Sequence, residues 1–313
     1  MGKKNISTAT SIAGVELDSY VCNASGPKCT TYEELTELGR SDSSAIVMKS
    51  ATILPREGNP EPRLARVGKH GLVQSMGLPN LGYEKYVGFS KKLTKFGKRI
   101  IGSIAGFSFE EYVVMVKAFQ KSDVDLIEIN VSCPNIEGKS LIGRDFGQLR
   151  DLLTLTSGLG TKPIGLKLPQ YDDPAHWFTV AELVLEYGVS FITCINSIGN
   201  TLVIDPWTRK TVTSKNGLAG LSGETIMPIA LANVRAFYEL LGGKVSIFGV
   251  GGVIDGVSAF QFLLAGADAV QVGTAFELND ASCFTYINKG LIHMLEYHGF
   301  SSVEEAKGQL LYI

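Results

Sequence analysis

Ile127–Asn135 reads IEINVSCPN. The β-branched residues Ile127, Ile129 and Val131 are those of a strand buried in a parallel sheet, while Glu128 and Asn130 interrupt the run with polar groups that need partners. At the carboxyl end Asn130, Ser132, Cys133 and Asn135 crowd around one proline. Ligands bind at the carboxyl ends of strands in parallel α/β folds, so this one stretch predicts a strand and the edge of a site.

Similar short apolar runs, each bounded by turn residues, recur along the chain: Val21–Ala24, Ile46–Met48, Ile100–Ala105, Leu126–Val131, Ile164–Leu168, Phe191–Ile195, Val245–Val250 and Ala269–Val272. Segments with helical spacing lie between most of them, among them Glu110–Gln120, Phe146–Leu155, Trp177–Glu186, Met227–Leu241 and Ser258–Leu264. Eight buried strands alternating with helices predict an α/β fold, a (β/α)8 TIM barrel, over residues 1–313 as one domain. A doubly wound open sheet is the alternative, but no early G-x-G-x-x-G opens the first helix. Two connections exceed the ~2–6 residues of an ordinary βα loop. Ser50–Arg99 carries PREGNPEPR and SMGLPN, and Leu202–Ile204 with Thr211–Thr213 flank Asp205–Lys210 as a hairpin. Both are expected on the top face, where they would roof a site.

Composition fits this reading. The chain has 313 residues, 45% hydrophobic and 19% charged, enough for a full core without disulfides. Its 35 glycines exceed the usual ~7% without any repeat, which points to turns and close backbone approaches. A formal net charge of −2 and the lack of a basic stripe argue against nucleic acid. MGKKNISTAT has no apolar core of a signal peptide, and no run nears the ~18 apolar residues of a membrane span, so a cytoplasmic protein is expected. The five cysteines form no C-x-x-C and no Cys/His cluster, so no metal is expected. Cys22, Cys194 and Cys283 read as buried thiols, and Cys29 as buried or at a pocket rim.

Glycine motifs end the last two strands: Gly249, Gly251 and Gly252, then Gly273 with Thr274. Two such turns on consecutive barrel strands predict a phosphate site. Lys49 in IVMKSAT and Lys167 in IGLKLP lie among apolar residues at strand ends, where each needs an anionic partner. A flavin or a carboxylate substrate would serve, as would a structural ion pair. Asn196 and Ser197 end the sixth strand level with Asn130 and Ser132, making a common polar rim. His70, His176, His293 and His298 fall in loops or helices away from it, which leaves the Cys133 thiol as the leading acid/base candidate.

The ordered motifs NVSCPN, GLKLPQYDD, CINSIGN, KNGLAGLSG, GVGGV and VGTAF resemble those of the dihydroorotate dehydrogenases, and RxGNPEPR with SMGLPN resembles the soluble, fumarate-reducing branch, class 1A. The resemblance runs from about Asn23 to Phe276. It implies a homodimer whose subunits hold FMN and oxidise (S)-dihydroorotate to orotate in pyrimidine biosynthesis, with fumarate as electron acceptor. By the same resemblance Cys133 is the base, and Lys49, Asn130, Asn135, Asn196 and Ser197 bind the substrate, aided by Met76, Gly77 and Leu78. FMN would contact Ala24, Ser25, Gly26, Lys49, Ser50, Asn130, Lys167, Ile195, Gly223, Gly251, Gly252, Gly273 and Thr274.

The chain also departs from that pattern. Gln74 stands where the branch usually has Asn, which leaves its contact with the substrate open. After Cys133, Glu137, Gly138, Lys139 and Ser140 replace a proline-flanked Gly-Lys, and Arg144 replaces a tyrosine, so a more mobile lid is expected. Two rival readings remain: a class 1B subunit that passes electrons to NAD through an iron–sulfur partner, and a flavin-binding protein without turnover.

Overall fold

The computed structural model describes residues 6–132 and 141–313. Eight parallel strands form its centre: β1 (Val21–Asn23), β2 (Ala45–Val47), β3 (Arg99–Ile104), β4 (Leu126–Asn130), β5 (Ile164–Lys167), β6 (Phe191–Cys194), β7 (Ser246–Val250) and β8 (Ala269–Val272). They hydrogen-bond in the order β1-β8-β7-β6-β5-β4-β3-β2. The register sets Asn130 opposite Lys167, Cys194 opposite Gly249, and Val272 opposite Asn23, which brings the strand tips level. The expected barrel is therefore present, with each strand within two residues of its expected bounds.

Between β1 and β2 a side chain takes the place of the ladder. The Asn23 amide donates to Val47 O at 2.8 Å, and its oxygen accepts from Val47 N at 2.9 Å. A carboxamide carries the same donor and acceptor as a peptide group, so Asn23 closes the barrel where the two backbones do not pair in register. Ser43 supports it, accepting from Asn23 N at 3.0 Å.

The intervening helices start where short polar side chains cap them. Thr31 and Glu34 form a reciprocal cap before Tyr32–Arg40, Asp145 caps Phe146–Thr156, and Asp173 followed by Pro174 opens Pro174–Glu186. Each helix lays its apolar face on the barrel exterior, as Leu149, Leu152 and Leu153 do.

At the amino-terminal end of the barrel an antiparallel hairpin, Thr10–Ile12 with Val15–Leu17, plugs the interior. Ile12 and Leu17 pack there on Cys22, Ala45, Ile101, Leu126, Phe191 and Phe248. The opposite end carries the two long connections. Leu64–Val67 and Gly71–Gln74 from one, with Ile198–Leu202 and Leu218–Gly223 from the other, form a single four-stranded antiparallel sheet. Beyond it Ile204–Asp205 pairs with Lys210–Thr211, the expected hairpin with a two-residue stem. No helix among the described residues is long and apolar enough to cross a membrane.

Candidate active site at the carboxyl ends of the strands

Asn130, Ser132 and Asn196 are joined at the strand tips. Asn130 Oδ1 accepts from Ser132 N at 3.1 Å and from Asn196 Nδ2 at 3.3 Å, while Asn196 Nδ2 also donates to Ser132 O at 3.1 Å. Asn196 Oδ1 accepts from Ser197 N at 2.9 Å. The polar rim expected from β4 and β6 is thus one hydrogen-bonded cluster. Asn130 and Ser132 are almost fully buried.

Both strand-end lysines reach back to the turn after β1. Lys49 Nζ donates to Gly26 O at 2.7 Å, and Lys167 Nζ donates to Ser25 O at 3.4 Å. Lys167 is 3% exposed, and no described carboxylate lies within ion-pair distance of it. A buried ammonium held by one long hydrogen bond is under-satisfied, which fits an electron-rich group bound between β5 and Ala24–Gly26. The structural ion pair considered for this lysine is not formed among the described residues.

The glycine turns supply bare backbone. Gly223, Gly251 and Gly252 have φ of 91°, 122° and 101°, the region L side chains avoid. A Cβ on Gly252 would lie 2.5 Å from Met227 Cβ and 3.2 Å from Gly223 O, so this corner admits only backbone. Thr274 Oγ1 donates to Ser222 Oγ at 3.0 Å and ties the turn after β8 to the roof sheet.

RxGNPEPR and SMGLPN form one unit. Asn59 N donates to Met76 O at 2.9 Å, and Asn59 Nδ2 donates to Ser75 O at 2.9 Å. Gly58 and Gly77 both have positive φ, and a Cβ on Gly77 would lie 2.7 Å from Asn59 N. The motif pair therefore fixes the backbone of Met76–Leu78. Gln74 occupies both ends of its carboxamide within the protein: Oε1 accepts from Met76 N at 3.1 Å, and Nε2 donates to Ser197 Oγ at 3.2 Å.

Cys133, Asn135 and the departures at Glu137, Gly138, Lys139 and Ser140 lie outside the described residues. Arg144, just beyond, donates to Gln170 O at 3.3 Å. Of the histidines, His176 packs edge-on to Phe146 and His298 stacks on Phe260, both on outer helices. Cys22, Cys29, Cys194 and Cys283 are all buried, and burial pushes every one of these thiols up in pKa. Among the described residues no group of three or more His, Cys, Asp or Glu is placed to hold a metal ion.

Sequence reading singled out Glu128 as needing partners but missed Ser103, Thr193 and Gln271, which supply them inside the barrel. Each is a lone polar residue in an apolar strand, the same signal that marked Glu128 and Asn130.

A parallel barrel with polar strand tips, the buried Lys167, the half-buried Lys49 and glycine turns on one face defines a (β/α)8 barrel whose candidate site lies at the top. The chain belongs to the dihydroorotate dehydrogenase family, whose model matches residues 7–295. That family is flavin-dependent. The chain is 41% identical over 310 residues to a putative dihydroorotate dehydrogenase A (fumarate) of Streptococcus equi subsp. equi, covering 98% of this chain and 99% of that one. A probable dihydroorotate dehydrogenase A (fumarate) of Streptococcus pneumoniae serotype 4 is 41% identical over 311 residues, covering 98% and 99%. The crystal structure of DHODH from Eimeria tenella in complex with ferulenol shares the fold, with a TM-score of 0.84 at 19% identity over 99% of this chain and 90% of that one. Its ligand-free form gives 0.83 at 20% identity over 99% and 93%.

Proposed function

We propose that this protein oxidises (S)-dihydroorotate to orotate through bound FMN, with fumarate as the electron acceptor, as a cytoplasmic homodimer in which each chain is one domain. The observation that carries the reading is the strand-tip cluster of Asn130, Ser132 and Asn196 beside Lys49 and Lys167. It occurs in a chain 41% identical, over nearly its whole length, to relatives named for the fumarate-linked activity.

Gly223, Gly251, Gly252, Gly273 and Thr274 would hold the FMN phosphate, and Ala24, Ser25, Gly26, Ser50, Asn130, Lys167 and Ile195 the ring. The under-satisfied Lys167 and the backbone-only corner at Gly252 support this fit. When bound, FMN supplies the acceptor for the hydride that leaves C6 of the substrate. Lys49, Asn130, Asn135, Asn196 and Ser197 bind the pyrimidine and its carboxylate, with Met76, Gly77 and Leu78 along one edge. Cys133 takes the C5 proton. His176 and His298, packed on outer helices, offer no rival base.

Exposed apolar side chains on the roof sheet and its hairpin, Leu202, Ile204, Trp207 and Leu218, support a dimer formed there. Sedimentation at twice the chain mass is the expected result, and a monomer would contradict it.

Cys133→Ala and Cys133→Ser test the proton step. Removing a general base costs on the order of 10²–10⁴ in rate. The alanine variant should keep its flavin and lose turnover by about that factor, whereas the serine variant should regain activity as pH rises, because a hydroxyl is a far weaker acid than a thiol. Turnover near that of the unmodified enzyme in Cys133→Ala would contradict the assignment.

A further inference from the structure

Alternate residues of a strand share a face, and on β4 the inward face reads, from bottom to top, Leu126, Glu128 and Asn130. Leu126 packs in the apolar plug with Cys22, Phe191 and Phe248, and Asn130 belongs to the rim cluster. Glu128 lies between them at 0% exposure. Its Oε1 accepts from Ser103 Oγ at 3.1 Å, and its Oε2 accepts from Thr193 Oγ1 at 2.9 Å and from Gln271 Nε2 at 3.1 Å. Three donors and no group that only accepts meet this side chain, the pattern of a carboxylate.

Glu128 and Lys167 are the two charged side chains buried among the described residues, and they do not meet. Lys167 stands level with Asn130 on one side and Thr193 on the other, whereas Glu128 stands one step lower, opposite Gly165. Both charges reach the Cys22 thiol, which burial pushes up in pKa, Glu128 adding to the rise and Lys167 opposing it. An ion pair closed at contact distance largely cancels its own field outside. Held apart in an interior where the effective dielectric is far below that of water and salt screens little, each charge acts on whatever is bound above it.

We propose that Glu128 tunes the redox poise of the site: from one level beneath, its negative charge opposes the pull of Lys167 and holds down the reduction potential of the flavin. The inference rests on the FMN reading above. Ser50, Asn130 and Lys167, three of the residues that would hold the ring, surround the carboxylate from above: Ser50 through Ser103, whose hydroxyls lie 2.9 Å apart, Asn130 two residues further along β4, and Lys167 beside Thr193. Reduction adds negative charge to the ring, which Lys167 favours and Glu128 disfavours. Glu128 touches neither substrate nor cofactor. Its effect is to keep the reduced state from becoming so stable that electrons are not passed on to the second substrate.

The test measures the reduction potential of the bound flavin, by equilibration with a redox dye, in the unmodified protein, Glu128→Gln and Glu128→Asp. A unit charge at roughly 10 Å in an effective dielectric of about 20 changes an equilibrium by about one order of magnitude. In Glu128→Gln the ratio of reduced to oxidised flavin at a given potential should rise about tenfold, an upward shift of about 30 mV for a two-electron couple. The shift should persist at about 1 M salt, which screens surface charges. The amide keeps the chain length, and Gln271, whose Oε1 has no partner, can turn over to accept from it. Glu128→Asp keeps the charge while losing hydrogen bonds, so its potential should stay within about 10 mV, or twofold, of the unmodified protein. A potential unmoved within about 10 mV in Glu128→Gln, or an equal upward shift in Glu128→Asp, would overturn the proposal. Infrared difference spectra of the unmodified protein with carbon-labelled glutamate keep the test open if Glu128→Gln does not fold: Glu128 is the one buried glutamate among the described residues, and its carboxylate band should shift on flavin reduction. An unchanged labelled band would overturn the proposal. Protein that takes up no FMN would overturn the cofactor reading and this inference with it, whereas FMN bound at an unmoved potential overturns this inference alone.

Discussion

Gln74 shows what one methylene does at a crowded rim. Its carboxamide spans from Met76 N to Ser197 Oγ, with Gly220 opposite, where an added Cβ would come within 2.9 Å of Gln74 Nε2 and 2.7 Å of Ser197 Oγ. Shortening the side chain by about 1.5 Å, one C–C bond, breaks at least one of these hydrogen bonds. Gln74→Asn should therefore weaken orotate binding by on the order of 1 kcal/mol, the cost of a polar group left unpaired. Orotate titration of flavin absorbance checks this, and equal or tighter binding would contradict it. The unusual length of residue 74 was legible in the sequence. Its partner Ser197, 123 residues away, was not, because the two meet through the pairing of Leu218–Gly223 with both Gly71–Gln74 and Ile198–Leu202. Asn130, Asn196, Lys49 and Lys167 were legible because each is a polar residue ending an apolar run, and such a residue must meet something.

The barrel strands were legible as elements for a related reason: buried on both faces, they read as short apolar runs broken only by single polar residues. The hairpin Thr10–Ile12 with Val15–Leu17 was not, since three residues are too few to display a period of two. Nor was the closure by Asn23, a side chain standing in for a ladder that sequence reasoning assumes to be backbone. Asn23→Leu keeps the branching of the side chain but strips the partners from Val47 N and Val47 O, both buried. At about 1–3 kcal/mol for each orphaned group, urea unfolding should show a loss on the order of 2 kcal/mol or more. A loss below about 0.5 kcal/mol, typical of surface substitutions, would mean that water or a shift of β2 replaces the bonds.

Across the whole molecule the four described thiols are sealed, Cys283 pushed up to about 12 and Cys22, Cys29 and Cys194 also raised, all chiefly by burial. A thiol raised in the folded state stays protonated where the unfolded chain has already ionised, so folding binds extra protons above the ordinary value of 9.0. That stability is complete below 9.0 and is lost as pH rises through the folded values, at up to about 1.4 kcal/mol per pH unit for each thiol. The melting temperature should stay level from about pH 6 to 8 and fall steeply above about pH 9, and a level profile through about pH 10 would contradict the sealed core. The central claim is the proposal that the strand tips bind dihydroorotate. Absorbance of the purified, flavin-bound protein under anaerobic conditions tests it most directly. Addition of dihydroorotate should bleach the oxidised flavin band with formation of one orotate per flavin, and fumarate, but not NAD, should restore it. A flavin band that dihydroorotate leaves unchanged would contradict the claim.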